Sequence, residues 1–148
     1  MSQLISSNIN KFKYKWIWRK TKASGFPMAN YRPLKSYEEI ALFTDAPCTY
    51  TKRGSKGVYN PQGLKKCNRI KKRGSSKHLI TSSNGGDMGS EYVVKYENYP
   101  QDIITFSNGK KKNINPCETP IELIEYLVST YTNKGDFVLD NASGVATN

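Results

Sequence analysis

At 148 residues, with 36% hydrophobic content and a formal net charge of +11, the chain has the length of one domain and the material for a modest core. No apolar run reaches the ~20 residues that a membrane-spanning helix needs. Met1–Asn8 has neither the charged lead nor the long apolar stretch of a secretory signal, and Cys48, Cys67, Cys117 and the lone His78 are too dispersed to pair as metal ligands. These features point to a cytoplasmic protein with reduced thiols, no membrane association and no metal.

The charge is unevenly placed. Residues 51–80 carry ten basic side chains and no acid, while the rest of the chain carries 13 basic and 12 acidic ones. A molecule that is close to neutral apart from one basic segment has the electrostatic footprint of a polyanion-binding protein.

In chain order, the first element is Phe12–Lys20. Phe12, Tyr14, Trp16 and Trp18 alternate with Lys13, Lys15, Ile17 and Arg19, a period of two that predicts a strand with one buried aromatic face. Residues 21–33 read as a loop punctuated by Gly25, Pro27 and Pro33, and Glu38–Phe43 as a second strand that stops before Pro47. Residues 51–98, rich in Gly, Ser, Asn and Lys, show no clear period and are expected to be mostly irregular. Lys110–Lys112 is a smaller basic tract after Asn108-Gly109.

The last element is the most ordered pattern. Thr119 is placed as an N-cap, Pro120 at the first helical position, and Glu122 three residues on as the other half of a capping box. Ile121, Ile124, Leu127, Val128 and Tyr131 fall on one helical face, which predicts a helix at about 120–132 with Gly135 as a C-terminal stop beyond it. The apolar run Phe137-Val138-Leu139 predicts a strand at about 137–140, covered on both faces and ending at Asp140 before a Ser143-Gly144 turn. Helix, turn, buried strand and small-residue loop together predict an α/β sheet with its ligand site at the carboxyl edge.

These residues resemble the S-adenosylmethionine-dependent DNA amino-methyltransferases of the permuted type, which act on adenine N6 or cytosine N4. In that family a His-Pro-Thr-Gln-Lys-Pro segment opens a helix and leads into a strand followed by Asp-x-Phe-x-Gly-Ser-Gly-Thr-Thr. Here Pro116, Pro120, Asp140, Gly144 and Thr147 stand as in the family, whereas Asn115 replaces the His, Cys117 the Thr, Glu118 the Gln and Thr119 the Lys. Ala142, Val145, Ala146 and Asn148 depart from the glycine-rich loop. Further back, Trp18-Arg19-Lys20, Asn30-Tyr31-Arg32-Pro33-Leu34 and Tyr37-Glu38 are similar to the family's segments in the same order. Tyr59-Asn60-Pro61 resembles the opening of its target-recognition insert, and Tyr99–Phe106 the segment leading back from it.

The resemblance implies a partial S-adenosylmethionine-dependent, Rossmann-like α/β sheet with a long, irregular, basic insert. It implies three regions: residues 1–50 as two core strands, 51–98 as the target-recognition-like insert and 99–148 as the helix–strand portion of the cofactor site. Thr119, Asp140, Asn141 and Gly144 are the implied contacts of S-adenosylmethionine, although a Cβ at Ala146 and the bulk of Val145 oppose its close approach. No catalytic residue is assigned, because the Asp-Pro-Pro-Tyr motif that holds the target amino group and stacks on the flipped base has no counterpart in the sequence, which contains no Pro-Pro.

The expected function is therefore that of a DNA methyltransferase-like protein, adenine-N6 ahead of cytosine-N4. It is expected to be inactive alone, as a truncated fragment or as one part of a split enzyme whose second chain completes the sheet. The alternative is a non-enzymatic DNA-binding protein, such as a phage-type competitor or regulator, descended from a methyltransferase. DNA contact is assigned to Lys52, Arg53, Lys65, Lys66, Arg69, Lys71, Lys72, Arg73 and Lys77. If about half of them meet phosphates, binding falls with salt at a log–log slope of roughly −4 to −5 on duplex DNA.

Overall fold

A computed structural model describes residues 1–48, 57–72, 91–108 and 119–141. The chain divides into two units, Met1–Asn60 with Gln101–Asn148, and Pro61–Pro100.

The first unit is a three-stranded sheet with a helix on one face. After the short helix α1 (Ser2–Ser7), the aromatic–basic alternation forms the long strand β1 (Phe12–Ser24), and β2 (Lys35–Phe43) returns antiparallel to it. A later strand, Ile103–Phe106, joins the other side of β1 in parallel, pairing Ile17 with Ile103 and Trp18 with Ile104. The sheet order is thus β2, β1, then this third strand.

The pleat explains the core. Paired residues share a face, so Tyr14, Trp16 and Trp18 line up with Leu42, Ile40 and Ile104, and this face receives helix α2 (Ile121–Tyr131). Trp16, Trp18, Ile104 and Leu123 are the buried centre, with Tyr59, Phe106, Tyr126, Leu127 and Tyr131 packed around it. Aromatic edges meet across the layers, Trp16 and Phe106 each packing on Tyr126 at ring-centroid distances of 5.9 and 5.7 Å. Such pairs contribute about 0.5–1.5 kcal/mol each beyond their buried area.

The polar tips of these rings are satisfied inside the layer. Trp16 Nε1 donates to the Tyr131 hydroxyl, which also bonds the Tyr14 hydroxyl at 3.0 Å, and Trp18 Nε1 donates to the Phe106 carbonyl at 3.1 Å. Burial, and then the Tyr131 hydrogen bond, push the Tyr14 phenol well above its usual range. Burial likewise raises Tyr59 and Tyr126.

The end of α2 is tied down from a distance in sequence. The Asn60 backbone N–H donates to the Thr130 carbonyl at 2.8 Å, and Asn60 Nδ2 donates to the carbonyls of Thr132 at 2.8 Å and Ser129 at 3.4 Å. These are carbonyls that a helix end leaves without an intrahelical partner. The same segment comes so close at Gly57 that a Cβ there would lie 2.8 Å from that of Ala46.

The second unit is a two-stranded antiparallel ribbon, Lys65–Lys72 against Glu91–Glu97. Its base is closed by Asn98, which takes a left-handed φ of 63° and donates from Nδ2 to the Gly63 carbonyl at 2.7 Å. With these strands numbered in chain order, the ribbon is β3 and β4, and Ile103–Phe106 is β5.

Several expectations are corrected. The described parts of 51–98 are not simply irregular, since they contain β3 and β4; these strands pair across a long connection that no local period announces. The helix begins one residue later than expected: Pro120 is its N-cap, no side chain caps it, and the Thr119/Glu122 capping box does not form. The face that α2 buries is centred on Leu123 and Thr130, while Ile121, placed on the core face by the spacing, is exposed. The helix ends at Tyr131, before Gly135, whose φ of 97° serves the turn that follows.

The largest correction concerns Phe137–Asp140, which is not a strand. Phe137 is fully exposed and Leu139 is 90% exposed. A strand exists only where a neighbour takes its backbone N–H and C=O groups, and no described strand lies beside this run.

Candidate cofactor and nucleic-acid sites

The expected cofactor contacts stand at the two ends of α2 and beyond it. Thr119 precedes the helix, and Asp140 and Asn141 follow the turn after it. All three are exposed, and Gly144 lies outside the described residues. A ligand cradle at a sheet edge depends on a paired strand to fix the loop that follows it, and here the run leading to Asp140 is unpaired and solvated. Among the described residues, Thr119, Asp140 and Asn141 are those of the expected set whose placement is seen, and no described strand pairs with the run before Asp140. A shallow concavity of about 660 Å³ elsewhere in this unit is lined by Ser24, Gly25, Arg32, Pro33, Lys35 and Tyr37, among others, and includes none of the expected contacts. Among the described residues no cluster of three or more His, Cys, Asp or Glu side chains is placed to hold a metal, and no helix is long and apolar enough to cross a membrane.

The basic residues are better organised. Of the nine assigned to DNA, Lys65, Lys66, Arg69, Lys71 and Lys72 lie on β3, whereas Lys52, Arg53, Arg73 and Lys77 lie outside the described residues. Strand β4 changes the electrostatics. It places Glu97 opposite Lys65 and Glu91 opposite Lys72, and it adds Lys95. Arg69 is ion-paired with Glu97, and Lys72 with Glu91 at 3.5 Å. The segment is acid-free in sequence, but two acids come to it from β4 through the fold.

The register of the ribbon also sorts its side chains. Lys66 pairs with Tyr96, but the next pairs are Arg69 with Val94 and Lys71 with Tyr92, so a bulge at Cys67-Asn68 inserts one extra residue on β3. Without it, Lys66 and Lys71 would point to opposite faces; with it, both share a face with Tyr92, Val94 and Tyr96. Lys65, Lys72, Glu91 and Glu97 fall on the other face. Tyr92 and Tyr96 are partly exposed and were not singled out from the sequence, although the alternation of Tyr92, Val94 and Tyr96 with Val93 and Lys95 was there to be read.

The comparison with known families is consistent with the resemblance drawn above. The family model described as DNA methylase, of the adenine-N6 and cytosine-N4 type, matches residues 2–147. No curated protein and no solved structure matches the chain. Methyl transfer to DNA in this family generally uses S-adenosylmethionine as donor. With a match that spans the sheet, the ribbon and α2, the chain belongs to the N6/N4 DNA methylase family.

Proposed function

We propose that the chain is the DNA-contacting and partial core portion of an adenine-N6 methyltransferase, without methyltransferase activity of its own. The single observation that carries the reading is the state of Phe137–Asp140. In a family whose chemistry depends on this strand and the loop after it, its apolar side chains are exposed and its backbone lies in no sheet. An apolar run of that kind is completed by neighbouring strands from outside the described residues, either further along the same polypeptide or in a second chain that carries the Pro-Pro motif. Completion would set Asp140 and Asn141 at the edge of a paired strand, and with Thr119 and Gly144 they would then hold S-adenosylmethionine. The three regions 1–50, 51–98 and 99–148 would serve as strand platform, recognition insert and cofactor edge, acting on DNA in the cytoplasm of a bacterial or phage-infected cell.

The test is a filter assay with labelled S-adenosylmethionine and DNA. The purified chain is expected to transfer no methyl group and to give no heat with the cofactor in calorimetry. Co-expression with a chain carrying Asp-Pro-Pro-Tyr is expected to yield a complex that transfers methyl to adenine. Transfer by the purified chain alone would overturn the reading.

A second reading, a non-enzymatic DNA-binding protein, is favoured by the retention of a folded basic ribbon in a chain whose Phe137–Leu139 run lies in no described sheet. It predicts DNA binding that no partner chain converts into methylation.

A further inference from the structure

The ribbon is two-faced, and the difference between its faces carries an inference that rests on the DNA-binding reading above but goes beyond it. On one face Lys71 stands directly opposite Tyr92, and Lys66 directly opposite Tyr96. Side chains in directly opposed positions have Cβ atoms about 4.5–5.5 Å apart, so each tyrosine has a lysine as its cross-strand neighbour. The two tyrosines are four residues apart on β4, about 13 Å along the strand at the usual rise. Between them lies Val94, paired with Arg69, whose guanidinium is taken up by Glu97. By register, Lys72 stands opposite Glu91 and Lys65 opposite Glu97 on the other face, with the Glu97 carboxylate turned to Arg69, and no described residue of that face is aromatic.

We propose that the Lys66, Lys71, Tyr92 and Tyr96 face of the ribbon is a contact surface for unpaired DNA, in which each tyrosine stacks on an exposed base and the lysine across from it meets a phosphate. Aromatic rings beside cations are how proteins hold nucleic acid whose bases are free to stack, and the ring face accepts any base. A duplex keeps its bases stacked on one another, so it offers this surface phosphates only. The bulge at Cys67-Asn68 makes the arrangement possible, because it alone brings Lys66 to the side of Lys71.

The test compares two double variants of the full-length chain with equal loss of charge, Lys66→Gln with Lys71→Gln and Lys65→Gln with Lys72→Gln, by fluorescence anisotropy with an oligothymidylate and with a duplex of the same length across a salt series. The first pair is expected to weaken oligothymidylate binding and to reduce the magnitude of its log–log salt slope by roughly 1.4, at about 0.7 per phosphate on a single strand. The second, whose lysines stand opposite Glu97 and Glu91, is expected to weaken binding less and to reduce the slope by less than the first. Tyr92→Leu with Tyr96→Leu is expected to lower oligothymidylate affinity by at least ~10-fold, stacking being worth about 1–3 kcal/mol per base, and to leave duplex binding unchanged. Tyr92→Phe with Tyr96→Phe, which keeps the rings, is expected to retain binding and so to separate stacking from ribbon folding. Equal losses from the two lysine pairs, or unchanged oligothymidylate affinity in the leucine variant, would overturn the assignment of this face while leaving DNA binding by the chain intact. Absence of binding to either DNA by the unchanged chain at low salt would instead overturn the DNA-binding reading itself.

Discussion

The aromatic face of strand β1 and the run Phe137–Leu139 are both apolar and both belong to segments that match the family, yet one is the centre of the core and the other is in water. Trp16 and Trp18 on β1 are each 4% exposed, whereas Phe137 is fully exposed. The apolar character of these side chains does not by itself decide which are buried. β1 has β2 on one side, β5 on the other and α2 across its face, so its backbone and its rings are both satisfied. Phe137–Leu139 has no described neighbour to pair with. An apolar sequence becomes a strand only when its edges are met, and among the described residues β1 has such neighbours and Phe137–Leu139 does not.

The comparison breaks most sharply under substitution. Trp16→Ala should destabilise the first unit by about 3–5 kcal/mol, as large truncations in packed cores do, whereas Phe137→Ser combined with Leu139→Ser should shift stability by no more than about 0.5 kcal/mol. Urea titration followed by tryptophan fluorescence, with circular dichroism for the Trp16 variant, measures both. A comparable loss in the Phe137 and Leu139 variant would mean that the run is packed after all. If the proposed completing chain binds, the same double change should become costly, which sharpens the contrast.

A smaller effect is expected inside the core. Tyr131→Phe removes the acceptor of the Trp16 Nε1–H and the partner of the Tyr14 hydroxyl. Leaving a buried polar group unpaired costs about 1–3 kcal/mol, and the loss should appear in the same urea titration. Asn60→Ala should cost about 1–2 kcal/mol by removing the side-chain bonds to the carbonyls of Ser129 and Thr132. Hydrogen exchange should then speed up in the last turn of α2 and leave the β1–β2 pairing as it was.

The smallest effect is alkaline. Tyr14, Tyr59 and Tyr126 are raised from the ordinary phenol value of 10.0, chiefly by burial. Above about pH 10 the unfolded chain releases these protons while the folded one keeps them, so the unfolded state binds fewer protons and stability falls as pH rises. The contribution is fully present below pH 10 and is lost as pH rises toward the folded-state values. Melting temperature should be level from neutrality to about pH 9.5 and decline beyond it, with Tyr14→Phe flattening the decline; an unchanged melting temperature through pH 11 would contradict the burial of these rings.

Much of the first unit was legible. The two-residue period of Phe12–Arg19 placed β1 and its buried face, and the spacing of Ile124, Leu127 and Tyr131 placed α2 to within a residue or two at each end. The N-cap was misplaced because Pro120 itself takes the extended conformation of a cap, with ψ of 135°. Of the candidate DNA residues, those on β3 were visible as charge, but their division between faces was not. Charge runs carry no information about pairing, and one inserted residue at Cys67-Asn68 reverses which lysines stand together.

The sequence by itself determined the family, the aromatic strand, the capped-looking helix and the basic segment, because each is a local pattern or a set of residues in fixed order. Only the tertiary structure decided what depends on partners far away in the chain. It paired β5 with β1, drew Asn60 to the end of α2 and set Glu91 and Glu97 against the lysines of β3. It also left Phe137–Leu139 in solvent, since a backbone leaves water only when another backbone meets its donors and acceptors, and no described strand does so here.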